Sequence, residues 1–317
     1  MSRMERSRER RHNVAASVLP ERGPWPHPYF DLDDGFVEVA FRDHAGVERR
    51  VRVRHKSVGD GPPLVLVHGL MTSSYSWRYV LEPLSLRYRV LAPDLVGAGM
   101  TDKPGDLVYS VGNVARFLVA YVRTVAREPV YLVGNSLGGL YGLRALLEDE
   151  RVARRFVLVH APGYPMARTR ALHALLGLPP LGEAVARFAH RFPELFVARN
   201  VHYARKDALS REECVEYGRL FETLEGARVF ARILEESLDP AEHAAIIAEL
   251  RRRGLACPTR ILYAREDAMV PPAFGPMYAA DIPGSELVWI DDASHFVQVD
   301  APERTIREIV AFDEGSS

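Results

Sequence analysis

The chain has 317 residues, 47% hydrophobic and 26% charged, the balance of a globular protein with a core of ordinary size. With 41 basic and 42 acidic residues the net charge is −1, so no global field steers it to nucleic acid or to an anionic membrane. No run of about 18 apolar residues occurs, which excludes a membrane-spanning helix.

Residues 1–28 are expected to form a disordered arm. Arg3, Arg6, Arg8, Arg10 and Arg11 outnumber Glu5 and Glu9 there, no apolar stretch of a secretory signal follows, and Pro20, Pro24, Pro26 and Pro28 close the segment. Two alternating stretches come next, Phe36 to Phe41 and Val51 to His55, separated by the turn residues Asp43 to Gly46. Alternation gives one buried and one wet face, as in an antiparallel hairpin at a sheet edge. Leu64 to Val67 is apolar throughout and reads as a strand covered on both faces. Similar runs recur at Tyr88 to Ala92, Val130 to Val133, Phe156 to Val159, Arg260 to Tyr263 and Leu287 to Ile290. Helical patterns at Ser110 to Ala126, Leu137 to Leu147, Ala273 to Ala280 and Pro302 to Phe312 separate several of them, which predicts a parallel, doubly wound α/β sheet.

The rhythm breaks between Tyr164 and Gly254. Those residues hold no convincing strand, and about ninety residues exceed a connection within a compact sheet. Apolar positions recur at helical spacing, as at Val185, Phe188, Ala189 and Phe192. The expectation is a helical cap over residues 164–254, inserted into a core made of residues 29–163 and 255–317. Cys214 and Cys257, the only cysteines, are too few for a disulfide framework and lack metal-ligand spacing. They are expected as buried thiols in a reducing cytoplasm.

The strongest chemical signal is Val133-Gly134-Asn135-Ser136-Leu137-Gly138-Gly139, a G-x-S-x-G turn between an apolar run and a helical one. A serine on a tight strand-to-helix turn projects its hydroxyl away from the backbone, and the turn needs small neighbours, here Gly134 and Gly138. The helix that starts there favours negative charge at its first amides, and the NH of Leu137 is the expected oxyanion donor. A serine needs a base. Of eleven histidines, His295 follows the last apolar run and precedes the last helix, at a strand end where sites assemble. Asp267, in the loop after Arg260 to Tyr263, is the expected carboxylate, with Glu266 its neighbouring competitor. The second oxyanion donor should come from His68-Gly69-Leu70-Met71: Gly69 permits the turn, Leu70 supplies the NH with Met71 as the alternative, and His68 holds the loop by hydrogen bonding.

With Ser136, Asp267 and His295 in that chain order, the sequence resembles the capped α/β-hydrolase superfamily over residues 36 to 312. Pro93 to Pro104 looks like that family's loop after the next core strand, and Ser294-His295-Phe296 with Asp300 to Glu303 like its histidine loop and last helix. The resemblance implies an eight-stranded, mostly parallel sheet with helices on both faces and a helical cap. The nearest subgroup holds haloalkane dehalogenases, epoxide hydrolases and meta-cleavage hydrolases. Dehalogenases and epoxide hydrolases of that group use an aspartate nucleophile where this chain has Ser136. Dehalogenases also often carry Asn or Glu where Leu70 stands. Leu70 to Ser74 lacks the glycines of meta-cleavage hydrolases.

The resulting expectation is a cytoplasmic serine hydrolase acting through an acyl-enzyme on an ester or related bond of a small hydrophobic substrate, as a monomer or homodimer. No cofactor, metal or nucleic-acid partner is expected. Phe188, Phe192, Phe196, Tyr203 and Phe221 either shape the substrate pocket or pack the cap onto the core. The alternatives are carbon–carbon hydrolysis, lyase or perhydrolase chemistry on the same scaffold, and a ligand receptor that keeps the triad without turnover.

Overall fold

The computed structural model describes residues 19–205 and 207–315. The basic residues at positions 3–11 lie outside that range. One sheet contains β1 (Asp34–Arg42), β2 (Glu48–Val58), β3 (Pro63–Val67), β4 (Arg89–Pro93), β5 (Val130–Asn135), β6 (Ala153–Val159), β7 (Thr259–Ala264) and β8 (Glu286–Ile290). Their order across the sheet is β1-β2-β4-β3-β5-β6-β7-β8. β1 pairs antiparallel with β2 and β2 antiparallel with β4, and every later pairing is parallel. The expected apolar runs fall inside these strands, except that Tyr88 precedes β4.

Period-two alternation divides each central strand between two cores. Val65, Val67, Leu132, Leu158 and Ile261 face one. Leu64, Leu66, Tyr131, Val133, Val157, Val159 and Leu262 face the other. Short α1 (Leu81–Ser85) lies between β3 and β4, and α2 (Val111–Val125) and α3 (Leu137–Glu148) follow. Ser110 caps α2 by accepting from the Asn113 amide at 3.2 Å. The segment from Ala167 to Arg253 holds α4 (Ala167–Leu176), α5 (Pro179–Arg191), α6 (Pro193–Asn200), α7 (Arg211–Gly218), α8 (Leu224–Glu236) and α9 (Pro240–Arg253), with no strand among its described residues. Pro193 and Pro240 open their helices, where the missing amide costs nothing. After β7 come α10 (Phe274–Asp281), α11 (Val297–Asp300) and α12 (Pro302–Glu314).

The amino-terminal arm behaves differently from the expectation where it is described. Residues 19–28 form no helix or strand, yet they are seated. The Arg211 and Glu212 amides donate to the Pro20 and Glu21 carbonyls at 2.8 and 3.0 Å. Trp25 and His27 pack edge-on to Tyr79, and His27 also to Tyr75. Proline and charge density hid this because the aromatic residues between the prolines supply the contacts.

The strand order reverses at β3: the chain passes from β3 to β4 on one side, then returns to β5 on the other. Crevices beyond the carboxyl ends of strands at such a reversal are where open α/β sheets bind ligands. The loops after β3 and β5 both lie there.

Candidate active site

β5 ends at Asn135, and Ser136 turns the chain into α3 with φ 58° and ψ −126°. That is a strained conformation for a residue with a Cβ, and strain of this kind concentrates at functional sites. The turn is fixed by the Ser136 amide, which donates to the Val159 carbonyl at the end of β6 at 2.8 Å. It is also tight. A Cβ on Gly134 would lie 2.4 Å from the Gly138 carbonyl oxygen, and one on Gly138 2.3 Å from that of Val67. The side chain of Ser136 stays partly exposed while its neighbours are buried. Leu137, first in α3, offers one of the four amides that a helix start leaves without an internal partner.

The loop after β3 runs against this serine. A Cβ on Gly69 would stand 2.9 Å from Ser136 Cβ and 3.5 Å from its Oγ, so glycine allows the loop after β3 to approach the serine this closely. Met71, with φ 62°, completes the turn. His68 is buried and bonded at both nitrogens. Its Nε2 accepts from the Leu95 amide at 2.9 Å, so Nδ1 carries the proton and donates to the Gly69 carbonyl at 2.8 Å. His68 therefore ties the loop after β3 to the loop after β4 and has no nitrogen left for proton transfer.

Asp267 and His295 meet in the interior. His295 Nδ1 lies 2.8 Å from Asp267 Oδ2, and both residues are buried. A carboxylate only accepts, so Nδ1 of His295 carries the proton and Nε2 is left as the basic nitrogen of the neutral ring. Asp267 Oδ1 accepts from the Met269 and Val270 amides at 2.6 and 3.0 Å. Burial pushes the Asp267 carboxyl up, but the charge of His295 and the hydrogen bonds of His160 and His295 outweigh it and hold the group well below the usual carboxylate range. Glu266, the competitor, is exposed.

Sequence reasoning missed three supporting residues. Asn135, fully buried, donates from Nδ2 to the His295 carbonyl at 3.0 Å and so joins the elbow to the histidine loop. Asp300 Oδ2 accepts from the Ser294 amide and hydroxyl at 2.9 and 2.8 Å, which fixes the other side of that loop. His160, directly after β6, places Nδ1 2.7 Å from Asp267 Oδ2. The position of His160 at a carboxyl strand end was its readable signal, the same one that singled out His295. His160, Asp267 and His295 could offer one metal-ligating atom each, within 4.8 Å of one another. Those atoms already face each other, which accounts for the cluster without an ion.

A narrow cavity opens beside the Gly69–Met71 loop, between Val96 and Val114 of the core and Leu220, Phe230 and Ile233 of the helical segment. Of the two roles open to Phe188, Phe192, Phe196, Tyr203 and Phe221, their contacts favour packing. Phe196, Phe221 and Phe230 stack edge-on among themselves, Phe188 joins Phe192 and Phe196, and Tyr203 packs on Phe296. Of this cluster only Phe230 reaches the cavity. Cys214 and Cys257 are free, buried thiols, each pushed up to about 12 by burial.

Comparison with known proteins agrees with this architecture. The chain is similar to haloalkane dehalogenase 2 of Mycobacterium tuberculosis, 27% identical over 269 residues that span 82% of this chain and 91% of that protein. It is also similar to 2-hydroxy-6-oxo-2,4-heptadienoate hydrolase of Pseudomonas putida, 29% identical over 80% of this chain and 90% of that one. Among solved structures, a thermophilic esterase from Thermogutta terrifontis superposes with a TM-score of 0.69 at 20% identity, covering 89% of this chain and 98% of that one. The profile of the alpha/beta hydrolase family matches residues 64–308, from β3 through α12. That match covers most of the chain and all the residues gathered around Ser136, and the chain accordingly belongs to the alpha/beta hydrolase family and is a hydrolase.

Proposed function

We propose that the protein is a serine hydrolase that cleaves an ester or related acyl bond of a small, predominantly apolar substrate through an acyl-enzyme. The observation that carries this reading is the strained Ser136 beside Gly69, with the buried Asp267–His295 pair joined to the same turn through Asn135. Ser136 Oγ attacks the carbonyl carbon while His295 Nε2 takes its proton. The amides of Leu137 and Leu70 receive the developing oxyanion. The proton passes to the leaving group as the carbon–heteroatom bond breaks. Water, giving its proton to His295, then attacks the acyl-enzyme and releases the acid. Asp267 stays ionised and holds the imidazolium.

The helical segment over residues 164–254 acts as a cap that supplies Leu220, Phe230 and Ile233 to the cavity. Among the described residues no Asp, Glu, Lys or Arg lines that cavity, which favours an uncharged apolar group there. Serine at position 136 argues against alkyl-halide and epoxide chemistry through an ester to aspartate. Carbon–carbon hydrolysis is the second reading, because one similar protein is a dienoate hydrolase.

A fluorophosphonate should label Ser136, and Ser136→Ala should abolish both labelling and turnover of p-nitrophenyl esters without changing the circular dichroism spectrum. Unlabelled wild type, or full activity in the variant, removes Ser136 from the mechanism. A panel of esters, thioesters, amides and vinylogous diketones separates the two readings.

A further inference from the structure

His160 is a buried ionisable group that the acyl-transfer steps leave unused. Its backbone stands at φ 47°, in the left-handed region, and its side chain is fully buried. The strained backbone is held by the His160 amide, which donates to the Leu262 carbonyl at 3.1 Å. The ring then reaches back across the end of β7. Its Nε2 accepts from the Ala264 amide at 2.9 Å. An imidazole that accepts at Nε2 and is neutral carries its proton on Nδ1, and Nδ1 faces Asp267 Oδ2 at 2.7 Å. His160 Nδ1 is buried and makes no other hydrogen bond. Rotation about the last side-chain bond is soft, so the ring aims its Nδ1 proton at Asp267 Oδ2, the acceptor 2.7 Å away.

We propose that His160 is a positioning residue for the acid of the triad: it donates a second Nδ1–H to the Asp267 oxygen that already receives the proton of His295. The proposal rests on the serine-hydrolase reading of the site. Asp267, His295 and Tyr263 lie beside the ring, and Asp300 acts on it through its charge. The His160 and His295 rings lie 5.6 Å apart, and the Tyr263 ring lies 4.7 Å from His160. Burial favours the neutral form of His160 and the neighbouring His295 charge acts the same way, while Asp267 and Asp300 oppose them; burial prevails.

Two effects follow. The shared oxygen is held from two sides, which fixes the direction in which His295 presents Nε2. The second donor also weakens the pull of the carboxylate on the His295 Nδ1 proton, which makes Nε2 of the imidazolium a stronger acid toward the leaving group. Because Nε2 and Nδ1 of His160 are both engaged, it cannot replace His295 as base.

The wild-type protein with ¹⁵N-labelled histidines tests the assignment by NMR, independently of any substrate. One neutral ring protonated at Nδ1, assigned to His160 by its loss in His160→Asn, should persist unchanged from pH 5 to 9. Titration of that ring, or protonation at Nε2, overturns the proposal. Kinetics supply the second measurement, read either as ester turnover or as the rate of fluorophosphonate labelling of Ser136. Asn tolerates positive φ and places an amide N–H near the Nδ1 position. His160→Asn should therefore keep turnover within about fivefold, whereas His160→Ala should lower it about ten- to a hundredfold, the range one hydrogen bond to a charged group supports. In His160→Ala the acid limb of the pH–rate profile should move to higher pH by about one unit, because Asp267 then attracts the His295 proton more strongly. An unchanged limb in a folded His160→Ala protein reduces the role to packing and overturns the proposal. If Ser136 proves not to be the nucleophile, the NMR result still stands or falls by itself.

Discussion

The carboxylate of Asp267 receives two imidazoles and two backbone amides in the interior. Its folded-state value is depressed, so the ionised group stabilises the fold fully above the ordinary carboxylate range and loses that contribution as pH falls through it. Asp267→Asn removes the charge at nearly constant shape. In urea titrations the stability difference between wild type and this variant should be flat from about pH 5 to 8 and should shrink below about pH 4, the range of an unfolded aspartate. A difference that stays constant to pH 3 means that the charge does not contribute. The same variant should lose turnover about 10³- to 10⁴-fold, because an amide can hold His295 in the wrong tautomer. Ser136, Asp267 and His295 stood out in the sequence because each follows an apolar run, and Asp267 and His295 do meet in the structure. His160 satisfies the same positional rule but belongs to no motif. Its place beside Asp267 depends on β6 and β7 being neighbours, although their sequences are separated by the whole helical segment.

At the scale of elements, α7 meets the core through charge and not through apolar contact alone. Arg78 and Glu213 have side chains with no exposure, and Arg78 Nη2 lies 3.1 Å from Glu213 Oε1. The guanidinium is sandwiched over the Tyr75 and Tyr79 rings at 4.4 and 4.3 Å, and Tyr203 donates to Glu213. Removing one member of such a pair leaves a buried charge uncompensated, at about 3–5 kcal/mol, while replacing both with apolar side chains is often neutral. Glu213→Gln should therefore lower the urea midpoint strongly, and Arg78→Met with Glu213→Leu should recover most of the loss. A single change that costs under about 1 kcal/mol would mean that water reaches the pair. The strands were readable because fully covered strands are apolar throughout. The packing of the helical segment was not: Phe188 and Phe192 sit at helical spacing whether they face a substrate or other side chains, and only the stacking of Phe188 on Phe192 and Phe196 decides it.

Across the whole molecule, the segment from Leu19 to Asp33 touches both bodies that enclose the cavity. On the sheet side it rests on Tyr75 and Tyr79. On the side of the helical segment, the Arg211 and Glu212 amides donate to its carbonyls, and His27 Nε2 lies 3.0 Å from Glu212 Oε1. The same Glu212 oxygen accepts from Tyr75 at 2.6 Å, so His27, Glu212 and Tyr75 form one chain across the junction. A segment bonded to two bodies opposes their separation more than the unfolding of either. A chain shortened to begin at Asp34 should therefore keep its sheet but open more readily at the junction. In native-state hydrogen exchange, amides of α7 should exchange faster by at least about tenfold, corresponding to the loss of about 1.4 kcal/mol of protection. Amides of β3 and β5 should change much less. KM for ester substrates should rise more than kcat falls, because Leu220 and Phe230 would be less firmly held against the cavity while Ser136 and His295 keep their places. Uniform acceleration of exchange in every element would show that the segment supports the fold as a whole. No acceleration at α7 would show that Arg78 and Glu213 hold the junction without it.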